Sequence, residues 1–363
     1  MRPIQAYIDF AALRANLARA RQAAPKQRLL AVVKANAYGH GLVPVALALA
    51  GAGAEALAVA SLEEAIQLRE AGLALPVLLL EGLFEAQELP LIQTHRLHTV
   101  IHSPWQLDGL LRSKPTGRPI PVWLKFDSGM HRLGFDVSQL RDAWQRLQAR
   151  PDLAAPLRLL THLACADDCT NPQSLLQCRT FADASTGLVG ERSIANSAGL
   201  LAWPQSHADW GRPGIMLYGA TPFNTGTGAE LGLQPVMQLC SKLIAVHHYQ
   251  RGDRIGYAAT WECPEDMPVG VVAAGYGDGY PRHAPAGTPV WVEDRIVPLI
   301  GRVSMDMITV DLRPRPHSQI GDRVELWGRQ VSADTVAELA GTIAYDLFCG
   351  VTPRVPRLAG VAF

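Results

Sequence analysis

Over its first 220 residues the chain alternates short apolar runs of strand length with segments of helical period, and that alternation leaves few folds open. The strand-like runs are Leu29–Lys34, Ala56–Ala60, Val77–Leu80, Thr99–His102, Pro121–Phe126, Arg158–His162, Ser193–Asn196 and Ile215–Tyr218. Helical patterns separate most of them. Residues 11–23 put Leu13, Leu17 and Ala20 on one face, and Ser61-Leu-Glu-Glu forms a capping box before a helix that Gly72 closes. Eight strands over this length fit a parallel (β/α)8 barrel of the TIM type better than an open sheet.

Beyond about Phe223 the texture changes. Thr225-Gly-Thr-Gly reads as a linker, and Val236–Val246, Val269–Ala274, Pro289–Pro298, Ile308–Asp311 and Arg323–Trp327 read as strands. Only Ser332–Ala340 is clearly helical there. The expected organisation is an α/β barrel over residues 1–225 followed by a mostly β-stranded domain over residues 226–363.

Charge narrows the partners. With 33 basic and 33 acidic residues the formal net charge is zero, and no arginine-rich run offers a nucleic-acid footprint. The N-terminus lacks an apolar signal core, and the uncharged stretch Gly39–Ala54 is broken by His40, Pro44 and glycines, so no membrane association is expected. Six cysteines without Cys-x-x-Cys spacing suit reduced thiols in the cytoplasm. The eleven histidines show no ligand spacing with acidic neighbours, so no metal is expected.

In a βα barrel reactive groups gather where strands end. Lys34, Lys125, His162 and Asn196-Ser197 end apolar runs on separate strands and would converge on one rim. A lysine at the dry end of a strand is expected to have a lowered pKa and to attack an aldehyde, forming a Schiff base. On pattern alone, a lysine snorkelling out of the strand end explains Lys34 as well. Likewise Asn196-Ser197-Ala-Gly suits a phosphate or a plain serine N-cap.

Residues 32–41, Val-Val-Lys-Ala-Asn-Ala-Tyr-Gly-His-Gly, resemble the cofactor-lysine signature of the bacterial alanine racemases, which use pyridoxal 5'-phosphate, and matching segments recur along nearly the whole chain. The resemblance implies that Lys34 holds the cofactor, which passes to the amino acid as an external aldimine. Ala-Asn196-Ser197-Ala-Gly, the backbone around Gly214-Ile215 and the hydroxyls of Tyr38 and Tyr345 would then bind its phosphate. Trp-Gly-Arg212-Pro-Gly-Ile would supply an arginine facing the pyridine nitrogen, although an arginine before Pro-Gly otherwise reads as a surface residue. Arg132 would contact the cofactor phenolate oxygen and the substrate carboxylate. Lys125 would be carbamylated, a salt bridge being its ordinary alternative.

By the same resemblance His162 hydrogen-bonds both a catalytic tyrosine and the pyridine-facing arginine, which would orient its imidazole. Ile-Gly-Tyr257-Ala-Ala-Thr-Trp would carry that tyrosine, although alone it reads as a turn or core aromatic. Gly301-Arg-Val-Ser-Met305-Asp matches a segment whose Met305 backbone binds the substrate carboxylate, with Ser304 where several family members have cysteine. Tyr276 and Tyr345 would narrow the entry. The family pairs its subunits head to tail in a homodimer, so each site would combine Lys34 of one copy with Tyr257 of another. The two residues would act as opposed bases on L- and D-alanine, for peptidoglycan supply or for alanine catabolism.

Other readings have their own signatures. A fold-related decarboxylase of basic amino acids would present a Gly-Gly-Gly phosphate loop, and this chain has no Gly-Gly pair. A non-catalytic cofactor-binding protein of the single-barrel type would lack the second domain. A racemase of broader substrate range remains compatible with every motif.

Overall fold

The computed structural model describes residues 2–114 and 118–362. Eight parallel strands close into a barrel: Arg28–Val32, Ala56–Val59, Val77–Leu79, His98–Ile101, Val122–Lys125, Leu157–Leu160, Glu191–Ser193 and Trp210–Gly211. The last strand pairs back to the first through Arg28↔Trp210 and Leu29↔Gly211. These strands are short, and most are apolar at their centres because both faces are covered, one by the barrel interior and one by the surrounding helices; Glu191–Ser193 is the polar exception. Leu29, Leu30, Ala31, Leu57, Ala58, Val122 and Leu124 are all sealed from solvent. Burying each Leu or Val side chain contributes about 1.5–3 kcal/mol.

Six of the expected strands lie within a residue or two of their expected places, Ser193–Asn196 is found earlier as Glu191–Ser193, and one is not a strand at all. Ile215–Tyr218 is a 3₁₀ turn, and the eighth strand is Trp210–Gly211. A short, fully buried apolar run has no period that separates strand from helix. Here Pro213 and Gly214, whose backbone departs from strand geometry, end the strand early. The turn is then fixed by the Tyr218 hydroxyl, which donates to the carbonyl of Val32 at 2.9 Å.

The Ser61 cap is also present: its hydroxyl accepts from the Glu64 amide at 3.4 Å. The Glu64 carboxylate, however, accepts from the amides of Ala60 and Asn36, at 3.1 and 3.0 Å, so it ties this helix to the loop after the first barrel strand.

Of the remaining strands, eight form a sheet that includes Gln5–Ile8, and Arg254–Ile255 pairs separately with Trp261–Glu262. Gln5–Ile8 pairs antiparallel with Met237–Tyr249 and parallel with Arg357–Ala359, a pairing the sequence pattern did not suggest. The expected single strand Pro289–Pro298 is a hairpin of Pro289–Val292 and Arg295–Ile300, turning at Glu293, whose φ is +54°. After the expected helix, here Ala333–Leu339, a second one spans Ala344–Gly350. This second helix packs on the barrel rim and delivers Tyr345 and Cys349 to the site. One continuous apolar core runs from the barrel into the sheet. Among the described residues no helix is long and apolar enough to cross a membrane.

Candidate active site

Lys34 follows the first barrel strand, where the chain makes an uncommon move. Ala35, Asn36, Ala37 and Tyr38 all have positive φ, between +51° and +55°, and so form a single left-handed turn. For residues bearing a Cβ this costs on the order of 1–2 kcal/mol each. Several contacts offset the cost. The Asn36 side chain accepts from the Leu42 amide at 2.8 Å, and the Tyr38 ring stacks on Tyr218 with centroids 4.7 Å apart. Gly39 closes the turn against the second helix, and a Cβ there would lie 2.0 Å from the carbonyl oxygen of Phe348. Strain held this firmly beside a lysine marks a functional position.

The rim encloses a cavity of about 700 Å³. Its walls carry Lys34, Tyr38, Lys125, Arg132, His162, Asn196, Ser197, Arg212, Gly214, Ile215 and Tyr345, so eleven of the expected residues meet in one place. Glu81 and Cys349 join them unforeseen. Glu81 follows the third barrel strand, and the strand-end rule that singled out Lys34 applies to it equally. Cys349 sits on a helix whose existence the sequence pattern did not reveal. Four cationic side chains face a single carboxylate, Glu81, which makes the cavity a receptor for anionic groups.

One end of the cavity is a cradle of donors. Asn196, not Ser197, caps the helix Ser197–Ala202, accepting from the Gly199 amide at 2.9 Å. The Ser197 oxygen is thereby released to accept from the amides of Gly214 and Met216, at 2.8 and 3.4 Å. Its own proton remains available to a ligand. The opening amides of this helix and of the turn beginning at Ile215 have no acceptor within their own turns. Gly214 is required, since a Cβ there would stand 2.6 Å from the Tyr38 hydroxyl oxygen.

Arg212 is buried and, among the described residues, pairs with no carboxylate. It donates to the Ser193 hydroxyl at 2.5 Å, to the carbonyls of Thr161 and Ile194 at 2.6 and 3.1 Å, and to Nδ1 of His162 at 3.3 Å. Burial pulls its pKa down to about 10, so it stays a cation at neutral pH. Because a guanidinium only donates, His162 Nδ1 is an acceptor, and the neutral ring carries its proton on Nε2. Burial, with Arg212, Lys125, Arg132 and Lys34 nearby, holds His162 well below its ordinary pKa. The Ser193 hydroxyl donates in turn to the Trp210 carbonyl at 2.8 Å, and this support for Arg212 had no sequence signal.

Lys125 is 7% exposed and makes no ion pair among the described residues. Burial first, and then Arg212 and Arg132, lower its pKa to about 8. Tyr257, Met305 and Tyr276 are elsewhere. They lie outside this cavity, exposed by 67%, 53% and 39% on the C-terminal sheet domain. Tyr257 sits in a second strained turn, with Ala258 and Ala259 at φ +61° and +49°. A single chain therefore brings the expected anchor, phosphate cradle and pyridine-facing arginine together, without the expected second base or Met305.

Residues 8–222 match the family model "Alanine racemase, N-terminal domain", and residues 236–359 match "Alanine racemase, C-terminal domain". The chain belongs to the alanine racemase family. An alanine racemase of Nitrosococcus oceani is 53% identical over 354 residues, 97% of this chain and 98% of the relative. One of Shewanella amazonensis is 50% identical over 360 residues, covering 98% and 99%. Among solved structures, the biosynthetic alanine racemase of Pseudomonas aeruginosa superposes with a TM-score of 0.96 at 47% identity, covering 99% of this chain and 100% of that one. The barrel and sheet described above are thus the architecture of alanine racemases, and this chain is an enzyme of that family.

Proposed function

We propose that the chain interconverts L- and D-alanine with pyridoxal phosphate bound in the rim cavity. The observation that carries this reading is the pairing, in one cavity, of a lysine on a strained turn with a phosphate-sized donor cradle and a carboxylate-free buried arginine. The donor set fits the cofactor: Ser197, Gly214, Ile215, Tyr38 and Tyr345 for its phosphate, Arg132 for its phenolate oxygen, Arg212 for its ring nitrogen and Lys34 for its aldehyde carbon.

When bound, the cofactor supplies electron withdrawal that acidifies the Cα–H of an attached amino acid. Lys34 exchanges the proton on the D face. Tyr257 of a second copy exchanges the proton on the L face, which its exposure in the single chain allows. Removal on one face and delivery on the other needs two opposed bases. A phenol titrates near 10 when unperturbed, so Tyr257 requires donors to act as a base near neutrality. The Nε2–H of His162 is such a donor.

Arg212 offers the ring nitrogen only donors and has no carboxylate to pass it a proton. Electron withdrawal stays limited, which favours proton exchange over transamination. The Met305 backbone and Arg132 hold the substrate carboxylate, while Tyr276 and Tyr345 narrow the approach.

The same reading makes the assembly a head-to-tail homodimer. It divides the chain into a cofactor-binding barrel over residues 1–225 and a β-rich domain over residues 226–363, and it places the enzyme in the cytoplasm, where six free cysteines are at home. Supply of D-alanine for peptidoglycan is its proposed role, in line with the biosynthetic relative from Pseudomonas aeruginosa.

Proton–deuterium exchange at Cα, followed in deuterium oxide from each enantiomer separately, tests the reading. Exchange with inversion from both sides is expected. Exchange without inversion would leave one competent base, and no exchange from either enantiomer would refute the proposal.

A further inference from the structure

The barrel has a second opening, at the end of its strands opposite Lys34. There a cavity of about 280 Å³ is walled by Arg28, His98, Trp123, Arg158 and Trp210, with Leu30, Pro76 and Leu78 beside them. These side chains come from the starts of the strands, so the cavity is separate from the rim site. The floor of such a barrel is ordinarily a place of packing alone.

Here its charges do not balance. Arg28 and Arg158 share one carboxylate: Arg28 Nη2 meets Glu191 Oε1 at 2.5 Å, and Arg158 Nε meets Oε2 at 2.6 Å. Trp210 Nε1 donates to that same Oε2 at 3.0 Å, so both carboxylate oxygens are engaged. These donors hold Glu191 down at about 2 against its burial, and it stays an anion. Glu55, the remaining acid on the wall, is bound by Arg21 at 2.9 and 3.1 Å and by the Leu29 amide at 2.8 Å. One guanidinium charge is therefore left over.

Arg158 is the more buried of the two, its side chain 12% exposed against 43% for Arg28. Of its five N–H groups the protein engages the one on Nε; Nη1 is sealed without an acceptor. A buried guanidinium whose Nη1 donors lack an acceptor carries a desolvation cost that an arriving anion relieves. Two further features shape the ligand. Trp123 Nε1 donates to His98 Nδ1 at 3.4 Å, which leaves His98 Nε2–H as a neutral donor. The guanidiniums of Arg28 and Arg158 lie 4.2 and 5.3 Å from the Trp210 and Trp123 rings, so the walls between the charges are aromatic and aliphatic.

We propose that this floor cavity binds a small carboxylate with an apolar body, its oxygens on Arg158 and His98 and its body against Trp123, Trp210 and Leu78. The cavity, at about 280 Å³, has room for a ligand of benzoate size. An inorganic anion of the same charge would gain the ion pair and forfeit the apolar contact.

The test uses cofactor-loaded enzyme and benzoate at constant ionic strength, with chloride as the balancing salt. Binding is read locally from the His98 ring resonance, assigned with His98→Gln. A saturable shift is expected in the native enzyme, weakened about tenfold or more in Arg158→Met and measurably in Arg28→Gln. Should Arg158→Met fail to fold, the native titration against chloride and Arg28→Gln decide. No saturable shift, a shift that chloride reproduces, or one undiminished in both arginine variants would overturn the proposal.

Discussion

Lys125 is the most exposed of these ideas to measurement. With its pKa at about 8, about a tenth of its side chains are neutral at pH 7, against about 0.04% for an unperturbed lysine near 10.4. A neutral amine attacks carbon dioxide, and the resulting carbamate would place a negative charge beside Arg132 and Arg212. The energetic stake follows from the same shift. A drop from 10.5 to about 8 corresponds to about 3 kcal/mol by which the fold disfavours the ammonium. Because the folded pKa lies below the unfolded one, this penalty is fully present below pH 8. It is relieved as the pH rises from about 8 towards 10.5. Carbamylation relieves it at neutral pH instead. Bicarbonate should therefore raise the melting temperature of the native enzyme by a few degrees near pH 7. In Lys125→Met that increment should vanish. In bicarbonate-free buffer the same variant should match or exceed the native enzyme in stability, since it removes an unpaired buried charge at similar volume. Carbon-13 NMR with labelled bicarbonate should show one carbamate carbon per chain, absent from the variant. A melting temperature indifferent to bicarbonate, together with no carbamate carbon, would refute the reasoning.

The other predictions concern the two proposed bases and the phosphate cradle. Tyr257→Phe should keep its cofactor and lose activity preferentially with L-alanine, so initial rates from each enantiomer should fall unequally; equal losses would contradict the assignment of faces. Lys34→Ala should lose the visible absorbance of the lysine-anchored cofactor after reconstitution, and survival of that band would remove Lys34 as the anchor. Gly214→Ala introduces a Cβ 2.6 Å from the Tyr38 hydroxyl and must displace it. Cofactor affinity, measured by fluorescence titration of the apoenzyme, should fall by about tenfold, roughly the worth of one charge-assisted hydrogen bond.

The sequence made parts of this site legible for physical reasons. Lys34, Lys125 and His162 stand where apolar runs end, and in a closed parallel barrel every such end lies on one rim, so their convergence was readable without knowing a single contact. Glu81 was available to the same rule. Arg212 was visible only through its motif, because nothing in Trp-Gly-Arg-Pro-Gly tells a buried guanidinium from a surface one. What identifies it physically is the ring of neutral acceptors from Thr161, Ser193 and Ile194, contributed by neighbouring barrel strands and their ends. Such support depends on lateral neighbours, which a linear pattern does not encode.

The left-handed turn at Ala35–Tyr38 marks a different limit. Its alanines favour ordinary right-handed helix, and local propensity gives no hint of positive φ. The turn survives because distant groups hold it: Glu64 binds the Asn36 amide, Tyr218 stacks on Tyr38, and Arg357 donates to the Gly39 carbonyl at 2.5 Å. Arg357 belongs to the final strand, which pairs with the first strand of the chain. The terminal strands therefore brace the turn that presents Lys34, although neither lines the cavity. That bracing gives the C-terminal domain a structural part in the lysine's placement within one chain, apart from the tyrosine it is proposed to lend to the other.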